Sequence, residues 1–93
     1  MAIRAVFDIP GLTSLHYDQI INDLEVAGLG NPDGRIYHVS APKLGGWIVT
    51  DVWESEEKLA KFSEGLIPIM QAAGATPAEP EIYQIHNTLT GGY

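Results

Sequence analysis

The chain has 93 residues, enough for one domain (residues 1–93) with a single modest core. Twelve acidic residues against five scattered basic ones give a net charge of −7, which argues against nucleic acid and anionic membrane surfaces as partners. A hydrophobic content of 45% excludes a disordered chain, and the absence of cysteine excludes a disulfide framework and thiolate chemistry.

Residues 2–9 alternate as a strand, and Pro10-Gly11 stops it. Thr13 is the N-cap of a first helix, in which Tyr17, Ile20, Ile21, Leu24 and Ala27 recur at helical spacing before Gly28 and Gly30 close it. Asn31-Pro32-Asp33-Gly34 is a turn, and residues 35–41 are a second strand. Residues 42–45 read as a loop into a third strand, 46–53, which runs directly into a helix capped by Ser55. Glu56 and Glu57 suit the exposed N–H groups of that helix start. Leu59, Phe62, Leu66, Ile69, Met70 and Ala73 give the second helix an apolar face, with a kink or restart expected near Pro68. Residues 74–80 are a linker, 81–89 a fourth strand, and Thr90 to Tyr93 a frayed end. No segment is apolar enough to span a bilayer and the N-terminus lacks a signal peptide's apolar run, so a cytoplasmic address is expected.

The order βαββαβ with short connections predicts an α+β, ferredoxin-like sandwich, with two helices covering one face of a four-stranded antiparallel sheet. The other face is left uncovered. In so small a chain, pairing with a second copy is the expected solution, giving a homodimer through the sheet face.

If residues 42–45 form the loop, Ser40 faces Trp47, His38 faces Val49 and Ile36 faces Asp51. One face then carries Ile36, His38, Ser40, Trp47, Val49, Asp51 and Trp53, while the other carries Tyr37, Val39, Ile48, Thr50 and Val52. The second set is an ordinary packing surface. The first mixes indoles, an imidazole, a hydroxyl and a carboxylate, which is how pockets for small aromatic or apolar ligands are built. His38 and Asp51 lie on a diagonal, about 5–8 Å apart at Cβ. An acid beside an imidazole orients it as a base, suited to removing a proton from an acidic substrate. The alternative is a partly buried histidine, with Asp51 bonded to nearby backbone or a tryptophan N–H.

Trp47 and Trp53 either stack on a flat ligand or, for Trp53, pack beneath the second helix. Tyr17, Phe62, Leu66 and Met70 are core residues first and pocket wall second. Tyr83 shares a face with Asn87 on the last strand, while His86 points to the opposite one. Three histidines without two at metal-ligand spacing give no metal site.

A strand ending in Val52-Trp53-Glu54-Ser55 that opens an amphipathic helix, within a βαββαβ chain of this length, resembles the antibiotic biosynthesis monooxygenase-like group of dimeric α/β barrels. The wider pattern is similar to an actinobacterial-type subfamily of small members. It comprises Pro10-Gly11-Leu12-Thr13, His38-Val39, Gly46-Trp47 through Ser55, and His86-Asn87. The resemblance implies a sheet-to-sheet homodimer with a small-molecule cavity in each protomer between sheet and helices. It also makes His86 a candidate interface residue. Its activities include cofactor-free oxygenation of electron-rich aromatics, isomerisation and haem degradation. The haem-degrading branch uses a first-strand asparagine and a second-helix histidine. Residues 2–9 contain no asparagine and residues 55–73 no histidine, so haem degradation is not expected; the chain likewise has no glycine-rich phosphate loop of the dinucleotide or P-loop type, and no cofactor is expected.

Two classes of function remain. One is a cofactor-independent monooxygenase or an isomerase/cyclase acting on an aromatic or enolisable molecule, with His38 and Asp51 catalytic. Ser40, Trp47, Trp53, Tyr83, His86, Phe62 and Met70 would then contact substrate. The other is a non-catalytic dimer that binds a small molecule in the same pocket.

Overall fold

In the structure, a computed structural model describing residues 2–89, the predicted order is realised in full. Strand β1 spans Ile3–Pro10, helix α1 Ser14–Val26, β2 Arg35–Lys43, β3 Gly46–Trp53, helix α2 Glu56–Ala72 and β4 Glu81–Gln84. The strands form one sheet in the order β2-β3-β1-β4, antiparallel throughout, which is the ferredoxin-like α+β arrangement. No helix among the described residues is long and apolar enough to cross a membrane.

Each helix begins where its cap places it. Thr13 accepts from the N–H of His16, whose Nδ1 accepts in return from the Thr13 N–H, a reciprocal box at the start of α1. Ser55 accepts from the Lys58 N–H at the start of α2. Helix α2 continues through Pro68 as one helix, so of the kink or restart expected there the restart does not occur. Leu66 before the proline and Met70 after it pack against the same core, and that packing outweighs one lost backbone bond.

The sheet's inner face is set by strand alternation. Ile3, Ala5 and Ile9 of β1 and Val49, Asp51 and Trp53 of β3 are buried, whereas Arg4, Asp8 and Pro10 are exposed. Helices α1 and α2 bury Ile20, Leu24, Leu59 and Met70 on this face. Two buried clusters result, one around Ile9, Leu24, Val49 and Met70 and one around Ile3, Ala5, Trp53 and Leu59, with Phe7 and Phe62 packed against both.

Three expectations are corrected. The β2–β3 connection is a two-residue turn, Leu44-Gly45, rather than a loop over 42–45, because Pro42 and Lys43 remain paired opposite Trp47 and Gly46. Pro42 is tolerated because β2 is an edge strand, and Gly45, at φ +78°, supplies the left-handed residue that the tight turn needs. The register is therefore displaced by two residues: His38 faces Asp51 directly and Ser40 faces Val49. Second, a bulge between Arg35 and Tyr37 sets Arg35 opposite Trp53 and leaves Ile36 out of the ladder, so Ile36 does not share the inner face with His38. Third, β4 ends at Gln84 rather than at residue 89, since its partner β1 begins at Ile3. One further backbone bond, from Ile85 N–H to Ala2 O, closes the pairing. The expected fraying of Thr90 to Tyr93 lies outside the described residues.

Candidate functional site

The corrected register turns a diagonal neighbour into a direct contact. Asp51 and His38, a cross-strand pair on the inner face, meet with His38 Nδ1 at 2.6 Å from Asp51 Oδ1. The second carboxylate oxygen accepts from Trp53 Nε1–H at 3.1 Å. Asp51 is 5% exposed and Trp53 fully buried, so the two N–H groups are what compensate the carboxylate for its lost water. On the far side of the imidazole, His38 Nε2 lies 2.7 Å from the hydroxyl of Tyr17, delivered by the inward face of α1. Four side chains thus form one hydrogen-bonded chain: Trp53, Asp51, His38, Tyr17.

The proton positions follow from donor and acceptor capacity. Trp53 can only donate, and an ionised carboxylate can only accept. With Asp51 accepting at both oxygens, the His38 proton lies on Nδ1. Nε2 is then the acceptor, and Tyr17 donates to it.

This chain runs along the wall of a cavity of about 420 Å³ between the sheet and the two helices, within the range of roughly 300–1,000 Å³ usual for small-molecule sites. Its wall is mostly aliphatic and aromatic, including Phe7, Ile20, Leu24, Val49, Phe62, Leu66 and Met70. Tyr17, His38, Asp51, Arg35, Ser63 and Glu79 supply the polar groups, and residues 77–80 of the linker border one side.

Of the residues singled out in the sequence as catalytic or substrate-contacting, His38, Asp51, Phe62 and Met70 line this cavity, as do Tyr17 and Leu66, expected as core first and wall second, whereas Ser40, Trp47, Trp53, Tyr83 and His86 do not. Trp53 takes the packing alternative, its ring 5.3 Å from Phe62 and tilted 36° to it beneath α2. Trp47, opposite Pro42 near the hairpin turn, stacks on Tyr17 at 5.4 Å and so stands behind the site rather than in it. Its Nε1–H is buried without a hydrogen-bond partner among the described residues. Ser40, opposite Val49, is outside the lining. Tyr83 lies exposed on the opposite sheet face, opposite Arg4, and donates to Glu81 at 2.6 Å; that bond raises the phenol's pKa above its ordinary value. His86 is exposed beyond the end of β4, so the contrast of faces expected for His86 and Asn87 does not arise.

Two residues of the wall were missed as polar contributors. Tyr17 occupies a core-like position in the periodicity of α1, and nothing in that spacing points to His38. Arg35 enters only because of the bulge. The chain just before Arg35 is anchored to the start of α2: Glu54 N–H donates to Gly34 O at 2.8 Å, and Lys58 bridges Glu54 and Asp33. These bonds, to Glu54 first and then Asp33, raise the pKa of the Lys58 ammonium.

A four-stranded antiparallel sheet with both helices on one face, and a polar chain beside an otherwise apolar cavity between them, is the arrangement of a small ferredoxin-like α+β domain. No family model matches the chain, and no curated protein matches it in sequence. Solved structures match it in fold. SnoaB from Streptomyces nogalater, described as a cofactor-independent oxygenase, superposes in a mutant form with a TM-score of 0.66 at 14% identity, covering 97% of this chain and 98% of that one. Two proteins described as candidate antibiotic biosynthesis monooxygenases also match. The one from Deinococcus radiodurans has a TM-score of 0.60 at 11% identity over 100% of both chains. The one from Chloroflexus aurantiacus has a TM-score of 0.53 at 21% identity, covering 100% of this chain and 97% of that chain. The chain has the fold of the antibiotic biosynthesis monooxygenase proteins, as its sequence resemblance implies.

Proposed function

We propose that this protein is a homodimeric, cofactor-independent monooxygenase that binds an aromatic or enolisable small molecule. The observation that carries the reading is the Trp53–Asp51–His38–Tyr17 chain, whose last three members line a mostly apolar cavity. Asp51 fixes the tautomer of His38 and stabilises the ring when it gains a proton. His38 Nε2 is the basic atom of the site. A substrate proton reaches it either through Tyr17, which passes its own hydroxyl proton to Nε2 and takes the substrate's, or directly if substrate displaces the hydroxyl. The apolar wall excludes water around the resulting carbanion. Dioxygen then adds to that carbon. For an activated ring CH2 the balance is one O2 consumed, the CH2 converted to C=O, and one water released, with the substrate supplying all the electrons.

The occupied state of both His38 ring nitrogens favours a second reading, a binding pocket in which the polar chain only shapes the wall. Oxygen uptake separates the two. With an anthrone as the simplest aromatic bearing an acidic ring CH2, uptake matched by quinone formation is expected. His38→Ala should lower the rate by about 10²–10⁴, the usual loss when a general base is removed, while affinity changes far less. Tight binding of aromatic ligands without turnover, in wild type and His38→Ala alike, would leave the binding reading. A rearranged product formed without oxygen uptake would indicate an isomerase.

A further inference from the structure

We propose that the cavity selects an aromatic carboxylate, whose carboxylate is held by Arg35 while its reactive part lies at Tyr17 and His38. The inference rests on the pocket reading above and adds the substrate class.

Arg35 stands in an unusual position for this chain. Of the five basic residues, Lys43 is paired with Asp8, and Lys58 with Glu54 and Asp33. Arg4, Lys61 and Arg35 make no ion pair among the described residues. Arg4 and Lys61 are solvent-exposed, whereas Arg35 is half-buried in the cavity wall. Its one side-chain hydrogen bond among the described residues is from Nη2 to the carbonyl of Gly30 at 3.1 Å. A guanidinium carries five N–H donors in a planar fork that matches a carboxylate, and most of them have no protein partner among the described residues. In a protein with twelve acidic residues, a half-buried cation without a carboxylate partner is not explained by internal pairing. Glu79 also borders the cavity yet does not pair with Arg35, and Asp51 is committed to His38 and Trp53.

The bulge is the second observation. Without it, simple alternation back from His38 would put the apolar Ile36 on the inner face. With it, Arg35 stands opposite Trp53, next to His38 in the inward row. Bulges re-aim side chains next to functional sites, and this one exchanges an aliphatic residue for a cation at the wall. Asp51 and Trp53, the partners of His38 and Arg35, are two residues apart, or about 7 Å at the usual rise per strand residue. A carboxylate held at Arg35 therefore leaves an aromatic body to extend past His38. The same fork repels nothing neutral, so neutral aromatics would still enter the cavity, only less tightly.

Competition between matched ligands tests this. N-phenyl-1-naphthylamine, a neutral probe that fluoresces in apolar sites, reports on the cavity, and 1-naphthoate and 1-naphthamide compete for it at neutral pH. The naphthoate should displace the probe at a concentration about tenfold lower or more, the gain usual for a charge-assisted hydrogen-bonded pair. Arg35→Met should abolish that preference and leave the amide and the probe as in wild type. Arg35→Lys, which keeps the charge but loses the fork, should retain part of it. Equal displacement by the two competitors in wild type, failure of the naphthoate to displace the probe, or a preference that survives in Arg35→Met would overturn the assignment while leaving the pocket intact. A probe that does not bind, or binds equally to a Leu66→Trp variant whose cavity is filled, would overturn the pocket itself.

Discussion

Asp51 is a two-acceptor group held between two donors, and that symmetry fixes the state of His38. Replacing it by asparagine keeps the shape but turns one acceptor into a donor. The amide oxygen can still accept from Trp53 Nε1–H, the buried donor that cannot adapt. The amide nitrogen then faces His38 Nδ1, and the ring satisfies it by moving its own proton to Nε2. All contacts remain made, with Tyr17 now accepting instead of donating. Asp51→Asn should therefore cost little stability, about 1 kcal/mol or less, while turnover falls about as far as in His38→Ala, because Nε2, now protonated, no longer has a lone pair to accept a proton. Thermal denaturation, turnover and the imidazole nitrogen shifts in NMR together check this. An unchanged His38 tautomer in a fully active Asp51→Asn protein would sink the base assignment. Asp51→Leu, by contrast, strands the Trp53 N–H in the core and should cost about 1–3 kcal/mol or more.

At the scale of elements, β3 was the most legible part of the sequence. Its bounds, its inward row of Trp47, Val49, Asp51 and Trp53, and the Ser55 cap that follows are all as alternation and capping chemistry predict. What escaped was relational. Pro42 reads as loop because a proline cannot donate to a ladder, yet an edge strand asks for no donor on its outer side, and the hairpin gained two pairs. That shift made His38 and Asp51 direct partners. The bulge at Ile36 was hidden because Ile36 fits the alternation it breaks. Tyr17 was legible as an inward residue but not as a partner of His38, since the docking of α1 on the sheet is not written in α1 alone. The start of β3 offers a test of this packing. A Cβ built on Gly46 would lie 2.5 Å from the backbone oxygen of Ile9 and 3.0 Å from the Cα of Pro10, where β1 and β3 meet. Neither atom is the end of a flexible side chain, so the strands must separate. Gly46→Ala should destabilise by about 1–3 kcal/mol, read as a lower denaturant midpoint. A midpoint within error of wild type would show that this crossing is looser than its distances imply.

For the whole molecule, both helices lie on one side of the sheet, and the outer face is what remains. Its inner strands present Val6, Ile48, Thr50 and Val52, which are half-buried, and the edge strand β2 adds Tyr37 and Val39, exposed at 59% and 45%. Charge on this face includes Arg4 and the ion pair of Lys43 with Asp8 at 2.7 Å. A row of aliphatic residues across three strands loses free energy at about 25 cal/mol per Å² for as long as it faces water. The chain holds no further element among its described residues to cover it. A second copy presents the same shape and the same apolar composition, so a two-fold sheet-to-sheet pair buries both faces at once. The net charge of −7 on each copy opposes association at long range and is screened within about 10 Å at 0.1 M salt, so the dimer should tighten as salt is added from low ionic strength. Sedimentation equilibrium at micromolar concentration should give twice the chain mass. Val39→Asp, which sets a carboxylate opposite Thr50 on this face, should return the monomer mass. Because the cavity lies between sheet and helices of one chain, that monomer should still bind N-phenyl-1-naphthylamine. A wild-type protein that sediments as a stable monomer would remove the homodimer and leave the apolar face without an occupant. A Val39→Asp monomer that loses the probe would show instead that the cavity depends on the partner for its shape.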